Sequence, residues 1–94
     1  MIRNYRDRET EAVASGHRSR KLPPDIQPPA RRKIRQIDNA EALGDLLNPR
    51  GNRFEELKGD RKGTYSIRIN DQWRITFGWV DGGATNVCIE DYHR

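Results

Sequence analysis

The chain has 94 residues, of which 34% are charged and only 33% hydrophobic, with a net charge of +4 and a sequence pI near 9.6. That describes one small domain, residues 1–94, with a small core and no stretch apolar enough for a transmembrane helix or a signal-peptide core. The single cysteine, Cys88, excludes an internal disulfide and suits a reducing, cytoplasmic setting; between Val87 and Ile89 it reads as a small buried hydrophobe.

Charge is unevenly spread. Residues 1–50 carry eleven Lys/Arg against seven Asp/Glu, and residues 51–94 carry seven of each. The whole excess lies in the first half, a distribution that suits a polyanionic partner such as nucleic acid.

In chain order, Met1 to Tyr5 reads as a short opening strand. Asp7 then caps a helix from about Arg8 to Ser15, with Glu9 and Glu11 in its first turn and Gly16 as its stop. A basic link, His17 to Lys21, leads into Leu22–Pro29, which holds four of the five prolines and cannot be helix interior. A second helix is expected from about Pro29 to Leu43, with Ala30, Ile34, Ile37, Ala40 and Leu43 as its buried stripe. Arg31, Arg32 and Arg35 fall towards its opposite side, as a solvated face or as a ridge that meets a phosphate backbone.

Leu43 to Asn52 is a loop with a short helical turn, followed by a strand around Arg53 to Leu57 and a basic turn, Lys58 to Gly63. Tyr65, Ile67 and Ile69 alternate with polar neighbours, and so do Trp73, Ile75, Phe77 and Trp79. Asp81-Gly82-Gly83 marks a turn before a last strand, Ala84 to Asp91. A strand, two helices and a run of four closely linked strands predict an α+β fold, an antiparallel meander with both helices on one face.

The apolar pattern also sets the register of the central hairpin. With both apolar rows on one face, Ile67 opposes Ile75, Ile69 opposes Trp73, and Asn70-Asp71-Gln72 form the loop. Arg68 and Arg74 then lie side by side on the other face. Like charges directly opposite repel, so that face wants an anion, which Glu55 and Glu90 supply from neighbouring strands or a phosphate supplies from outside.

Two histidines at opposite ends of the chain, His17 and His93, give no metal-ligand spacing, and neither a Walker loop nor a dinucleotide fingerprint is present. What remains is a set of cations with one phenol: Lys58, Arg61, Arg68, Arg74 and Tyr92, with His93 and Glu55 near them. Such a set suits metal-free phosphodiester cleavage of RNA, whose 2′-hydroxyl is its own nucleophile, although clusters of this type are more often phosphate-binding surfaces or salt-bridge networks than active sites.

The run LKGDRKGTYSIRINDQWRITF, residues 57–77, with EDYH at residues 90–93, resembles the HigB-type toxins of the RelE/ParE toxin superfamily. The resemblance covers residues 50–93 closely and the first half only in the order of its elements. It implies a ribosome-dependent mRNA endonuclease that cuts in the A site without a cofactor, and a helix-turn-helix antitoxin of the HigA kind as partner. By position, it makes Lys58 a catalytic base or phosphate contact, Arg74 the phosphorane stabiliser, and Tyr92 and His93 groups for substrate orientation and proton transfer. It places Gln72 at a base-contacting position and sets Arg61, Lys62, Arg68 and the arginines Arg31, Arg32 and Arg35 against RNA. Some relatives have His-Pro-Leu-Lys-Gly where this chain has Glu55-Glu56-Leu57-Lys58-Gly59, so a glutamate stands in place of a histidine and the identity of the base is open. A gyrase-poisoning toxin of the ParE kind and a non-catalytic RNA-binding or antitoxin-partner protein are the competing readings.

Overall fold

The computed structural model describes residues 1–91. Helix α1 (Arg8–Ala14) and helix α2 (Gln27–Asn39) precede a four-stranded sheet in the order β1 (Glu55–Glu56), β2 (Thr64–Arg68), β3 (Trp73–Val80) and β4 (Gly83–Asp91), each strand antiparallel to its neighbour. This is the α+β meander expected from the sequence. Among the described residues no helix is long and apolar enough to cross a membrane.

Local chemistry sets the helix ends. Asp7 Oδ1 accepts from Thr10 N at 2.8 Å and starts α1; Gly16, at φ 87°, stops it. Helix α2 begins at Gln27 and carries Pro28 and Pro29 in its first turn, where a missing N–H costs nothing. It ends four residues earlier than its apolar stripe suggested. Ala40 turns the chain extended at ψ 132°, and Asp45 Oδ2 accepts from the Glu41 and Ala42 amides, which starts a separate 3-10 turn, Leu43–Leu47. Ala30, Ile34, Ile37 and Ala40 are buried as predicted, and Leu43 is half-buried from its new position.

The core lies between α2 and one face of the sheet, where Ile67, Ile75, Phe77, Val87 and Ile89 are buried with Val13 of α1 and Leu46. Helix α1 packs on α2 and β4, and Thr10 Oγ1 accepts from Ile89 N at 2.9 Å. The hairpin register is the one the apolar rows require: Ile67 pairs with Ile75 and Arg68 with Arg74. Asn70 Oδ1 fixes its loop by accepting from the amides of Gln72 and Trp73. The β3–β4 link is a two-residue turn with Asp81 at φ 51° and Gly82 at φ 76°, the left-handed pair that suits the twist of a hairpin.

Met1 to Tyr5 is not a continuous strand. It makes two isolated parallel bridges to β4, Ile2 with Ala84 and Tyr5 with Val87. Between them β4 bulges at Asn86 (φ 52°), and the Asn4 side chain bonds both the amide and the side chain of Asn86 where a ladder would have run. The strand expected over Arg53–Leu57 shrinks to Glu55–Glu56, because Asn52 closes a 3-10 turn and Arg53 is left-handed (φ 44°, ψ 52°).

Candidate active site

The face of the sheet away from α2 carries Glu55 on β1, Ser66 and Arg68 on β2, Arg74 and Thr76 on β3, and Cys88 and Glu90 on β4, as the strand register dictates. Arg74 is the centre of this face. It is only 6% exposed, and its guanidinium is held on three sides. Nε donates to Ser66 Oγ at 2.8 Å, Nη2 donates to the Arg53 carbonyl at 2.5 Å, and Glu55 Oε1 lies 3.6 Å from Nη2. Every hydrogen bond to neutral oxygen leaves the charge in place, so a fixed cation sits beside a half-exposed carboxylate.

The anions that the sequence asked for are present, with a different division of labour. Glu55 approaches Arg74. Glu90, although paired in register with Arg74, turns to Arg61: Nη1–Oε1 is 3.1 Å and Nη2–Oε2 is 2.7 Å, a two-pronged pair. Thr76 Oγ1 also donates to Glu90, and Arg6 lies 3.6 Å away. Burial of Glu90 favours its neutral form, but the Arg61 and Thr76 hydrogen bonds outweigh it and hold the carboxyl below its ordinary value. Arg68 pairs with Asp71, and Gln72 Nε2 donates to Asp91 Oδ2 at 3.1 Å at the mouth of the hairpin loop.

Lys58 is exposed at the start of a 3-10 turn, Gly59–Arg61, and with Glu56, Leu57, Gly59 and Lys62 it lines a shallow recess. Lys62 is exposed as well. The Arg61–Glu90 pair ties this turn to β4, so Arg61 anchors the segment that carries Lys58. Tyr92 and His93 lie outside the described residues. Cys88 is buried, and its thiol donates to Asp7 Oδ2 at 3.4 Å. Burial first, then the Asp7 carboxylate, pushes that thiol up to about 12, which agrees with an inert hydrophobe.

The arginines of α2 do not form one ridge opposite the core. Arg31 is half-buried, and its Nε donates to the Val13 carbonyl at 2.8 Å, clamping the end of α1. Arg35 lies on that same flank and lines a small cleft with Tyr5, Ala14, Arg31, Ile34 and Asp38. Arg32 is exposed between the two flanks. The physical reason is the helical period: at about 100° per residue, three arginines spaced by one and three residues cannot share a face as narrow as the exposed crest of α2.

Sequence reasoning missed Asn52 and Lys33. Asn52 is fully buried; its Oδ1 accepts from Lys33 Nζ at 2.5 Å, and its Nδ2 faces Gln36 Oε1, Leu46 O and Asn48 O at 3.1–3.2 Å. This hub holds the turn whose next residue, Arg53, points its carbonyl at Arg74. Burial, then Arg32 and Arg68, lower the Lys33 pKa.

A family profile described as "RelE-like toxin of type II toxin-antitoxin system HigB" matches residues 4–93. The chain belongs to this HigB-like toxin family. Among curated relatives, Toxin HigB-1 of Vibrio cholerae serotype O1 is 45% identical over 75 residues, 80% of this chain and 79% of that protein. Endoribonuclease HigB of Proteus vulgaris is 41% identical over 61 residues, 65% of each chain. The YoeB–YefM complex from Staphylococcus aureus contains a chain that this HigB-like toxin matches with a TM-score of 0.63 at 17% identity, over 100% of this chain and 99% of that one, which shows a shared fold.

Proposed function

We propose that this HigB-like toxin is an endoribonuclease whose single domain, residues 1–94, cuts messenger RNA on the open face of its sheet. The observation that carries the reading is Arg74: a buried guanidinium, pre-oriented by Ser66 and the Arg53 carbonyl and flanked by Glu55, in a family with a relative named as an endoribonuclease. A cation fixed before substrate arrives stabilises charge that develops on a phosphorane without reorganising.

In this mechanism the 2′-oxygen loses its proton to Glu55 or Lys58 and attacks the adjacent phosphorus. Arg74 holds the non-bridging oxygens as their charge grows. The P–O5′ bond then breaks, leaving a 2′,3′-cyclic phosphate on one fragment and, once Tyr92 or His93 returns a proton, a 5′-hydroxyl on the other. Gln72 contacts a base, and Lys62, Arg68 and Arg32 contact the RNA backbone. Arg61 serves this site by anchoring Lys58, and Arg31 by clamping the end of α1 onto α2. The toxin acts in the cytoplasm in the ribosomal A site, needs no cofactor, and is restrained by a helix-turn-helix antitoxin of the HigA kind.

The test is expression of the chain without its antitoxin, with mapping of new 5′-hydroxyl ends on cellular messages. We expect cuts confined to translated frames. Lys58→Ala, at an exposed position, abolishes them with thermal stability unchanged; Arg74→Lys abolishes them too, with some loss of stability because Arg74 is buried. Growth arrest without cuts would instead assign the chain to gyrase poisoning, and normal growth would make it a binding protein.

A further inference from the structure

The open face of the sheet continues well beyond Arg74. Four residues along β3, Gly78 sits on the same face, paired with Thr64 on one side and Thr85 on the other. Around this row lies a groove of about 620 Å³, lined by Thr64, Gly78, Thr85, Arg6, Arg61 and Lys62 among others, with the carboxylate of Asp60 also in its lining. Its floor is bare because Gly78 has no side chain; a Cβ there would meet Thr85 Oγ1 at 2.6 Å. Two threonine hydroxyls and three cations share its walls with Trp79, Val80 and Asn86.

The charges in this groove are unequally committed. Glu90 Oε2 accepts from Arg61 at 2.7 Å and from Thr76, while Arg6 stands 3.6 Å from the same oxygen, beyond hydrogen-bond reach. Arg6 is thus a third claimant on an oxygen already in use, and its side chain is 61% exposed. A ligand phosphate offers it lone pairs that Glu90 does not. Among the described residues Lys62 has no ion pair within 4 Å. Glu90 and Asp60 both act on Arg61, so Arg6 and Lys62 are the cations of the groove best placed to meet a phosphate.

From this we infer that the groove over Gly78 is a subsite for single-stranded RNA, which binds a phosphate through Arg6 and Lys62 some nucleotides away from the bond that is cut. The inference rests on the endoribonuclease reading. The distance sets the spacing: four strand residues from Arg74 to Gly78 are about 13 Å, which an extended strand covers with roughly two or three nucleotides. A substrate long enough to reach both points gains the second interaction, and a shorter one does not.

The experiment measures binding apart from cleavage, using 2′-O-methyl oligoribonucleotides of two and eight nucleotides, which cannot be cut, in fluorescence anisotropy with the wild-type chain, Arg6→Gln and Arg6→Glu. The dinucleotide carries one phosphate and cannot occupy both points, so the eight-mer is expected to bind about tenfold tighter or more. Arg6→Gln removes most of that gain and leaves the dinucleotide unchanged; Arg6→Glu removes all of it. The salt dependence of eight-mer binding should fall in slope by about 0.7 in Arg6→Gln, which neutralises one phosphate fewer. Equal affinity for both lengths, or an Arg6→Gln effect of the same size on both, overturns the subsite while leaving the cleavage reading standing. No binding of either oligonucleotide, together with no 5′-hydroxyl ends in cells, overturns both.

Discussion

Asn52→Ala tests whether the support beneath the site is what the geometry makes it. Asn52 is fully buried, and its amide faces three acceptors, Gln36 Oε1 and the carbonyls of Leu46 and Asn48, at 3.1–3.2 Å. Two hydrogens cannot serve three acceptors fully, so the amide contributes about two good bonds. Removing it strands at least one buried carbonyl, at about 1–3 kcal/mol. The Lys33 ammonium also loses the Oδ1 acceptor 2.5 Å away. Part of that last loss returns as hydration, because Lys33 is only half-buried. The sum is about 3 kcal/mol, a large share of the roughly 5–14 kcal/mol expected for a chain of this size.

Urea unfolding followed by tryptophan fluorescence reads this directly. We expect Asn52→Ala to move the midpoint down by about 2–3 M at an unchanged slope, and the melting temperature by roughly 15 °C. Asn52→Asp supplies the control. It keeps the volume and an acceptor for Lys33 but removes both donated hydrogens, so it should lose nearly as much. Wild-type stability in Asn52→Asp, or a loss under about 1 kcal/mol in Asn52→Ala, would refute the hub, since either result means that the donated bonds carry little of the turn's stability.

Two further outcomes follow from single residues. Arg53 holds a left-handed backbone (φ 44°, ψ 52°) that suits glycine. Arg53→Gly should therefore leave stability unchanged or raise it by about 0.5–1 kcal/mol, while Arg53→Val lowers it by more than about 1 kcal/mol; calorimetry of the two variants decides. The Glu90 carboxyl is held below its ordinary value of 4.5, so its contribution is fully present above that pH and fades as pH falls through the lower, folded-state value. Glu90→Gln should be less stable than wild type at pH 7, with a difference that narrows below about pH 4, in denaturant titrations across that range. A constant difference would assign the loss to packing rather than charge.

Much of the sheet was legible because one period governs it. Alternation over Tyr65–Ile69 and Trp73–Trp79 fixed the faces, the faces fixed the register, and the register put Arg68 beside Arg74. The caps Asp7 and Gly16 and the turn Asp81-Gly82 were legible for the same kind of reason, since each is a local demand met by a particular residue type. What escaped lies where distant segments meet. Asn4 clasping the Asn86 bulge, 82 residues away, broke the expected opening strand. The choice of Glu90 for Arg61 rather than Arg74 depends on where the Gly59–Arg61 turn comes to rest, which no spacing encodes.

The resemblance to HigB-type toxins and the geometry bear on different parts of the site. The resemblance named Lys58 and Arg74 by position but is silent about what holds them. The fold supplies that link: Arg74 is fixed by Ser66 and the Arg53 carbonyl, Arg53 is set by the turn that Asn52 closes, and Lys58 rides on a turn tied down by Arg61 and Glu90. The presence of Glu55 in place of a histidine bears on the same guanidinium. A histidine at that position would add a second cation or a neutral ring beside Arg74, whereas Glu55 partly neutralises it. Phosphate entering the site must displace that carboxylate from Arg74 or share the guanidinium with it, and either course weakens ground-state binding. Glu55→His should therefore tighten RNA binding, and it raises the cleavage rate as well only where the 2′-proton passes to residue 55 rather than to Lys58. Comparing binding and single-turnover cleavage in Glu55→His and Glu55→Gln separates the two assignments. Faster cleavage in Glu55→His with loss in Glu55→Gln makes residue 55 the base, and equal rates in both leave that role to Lys58.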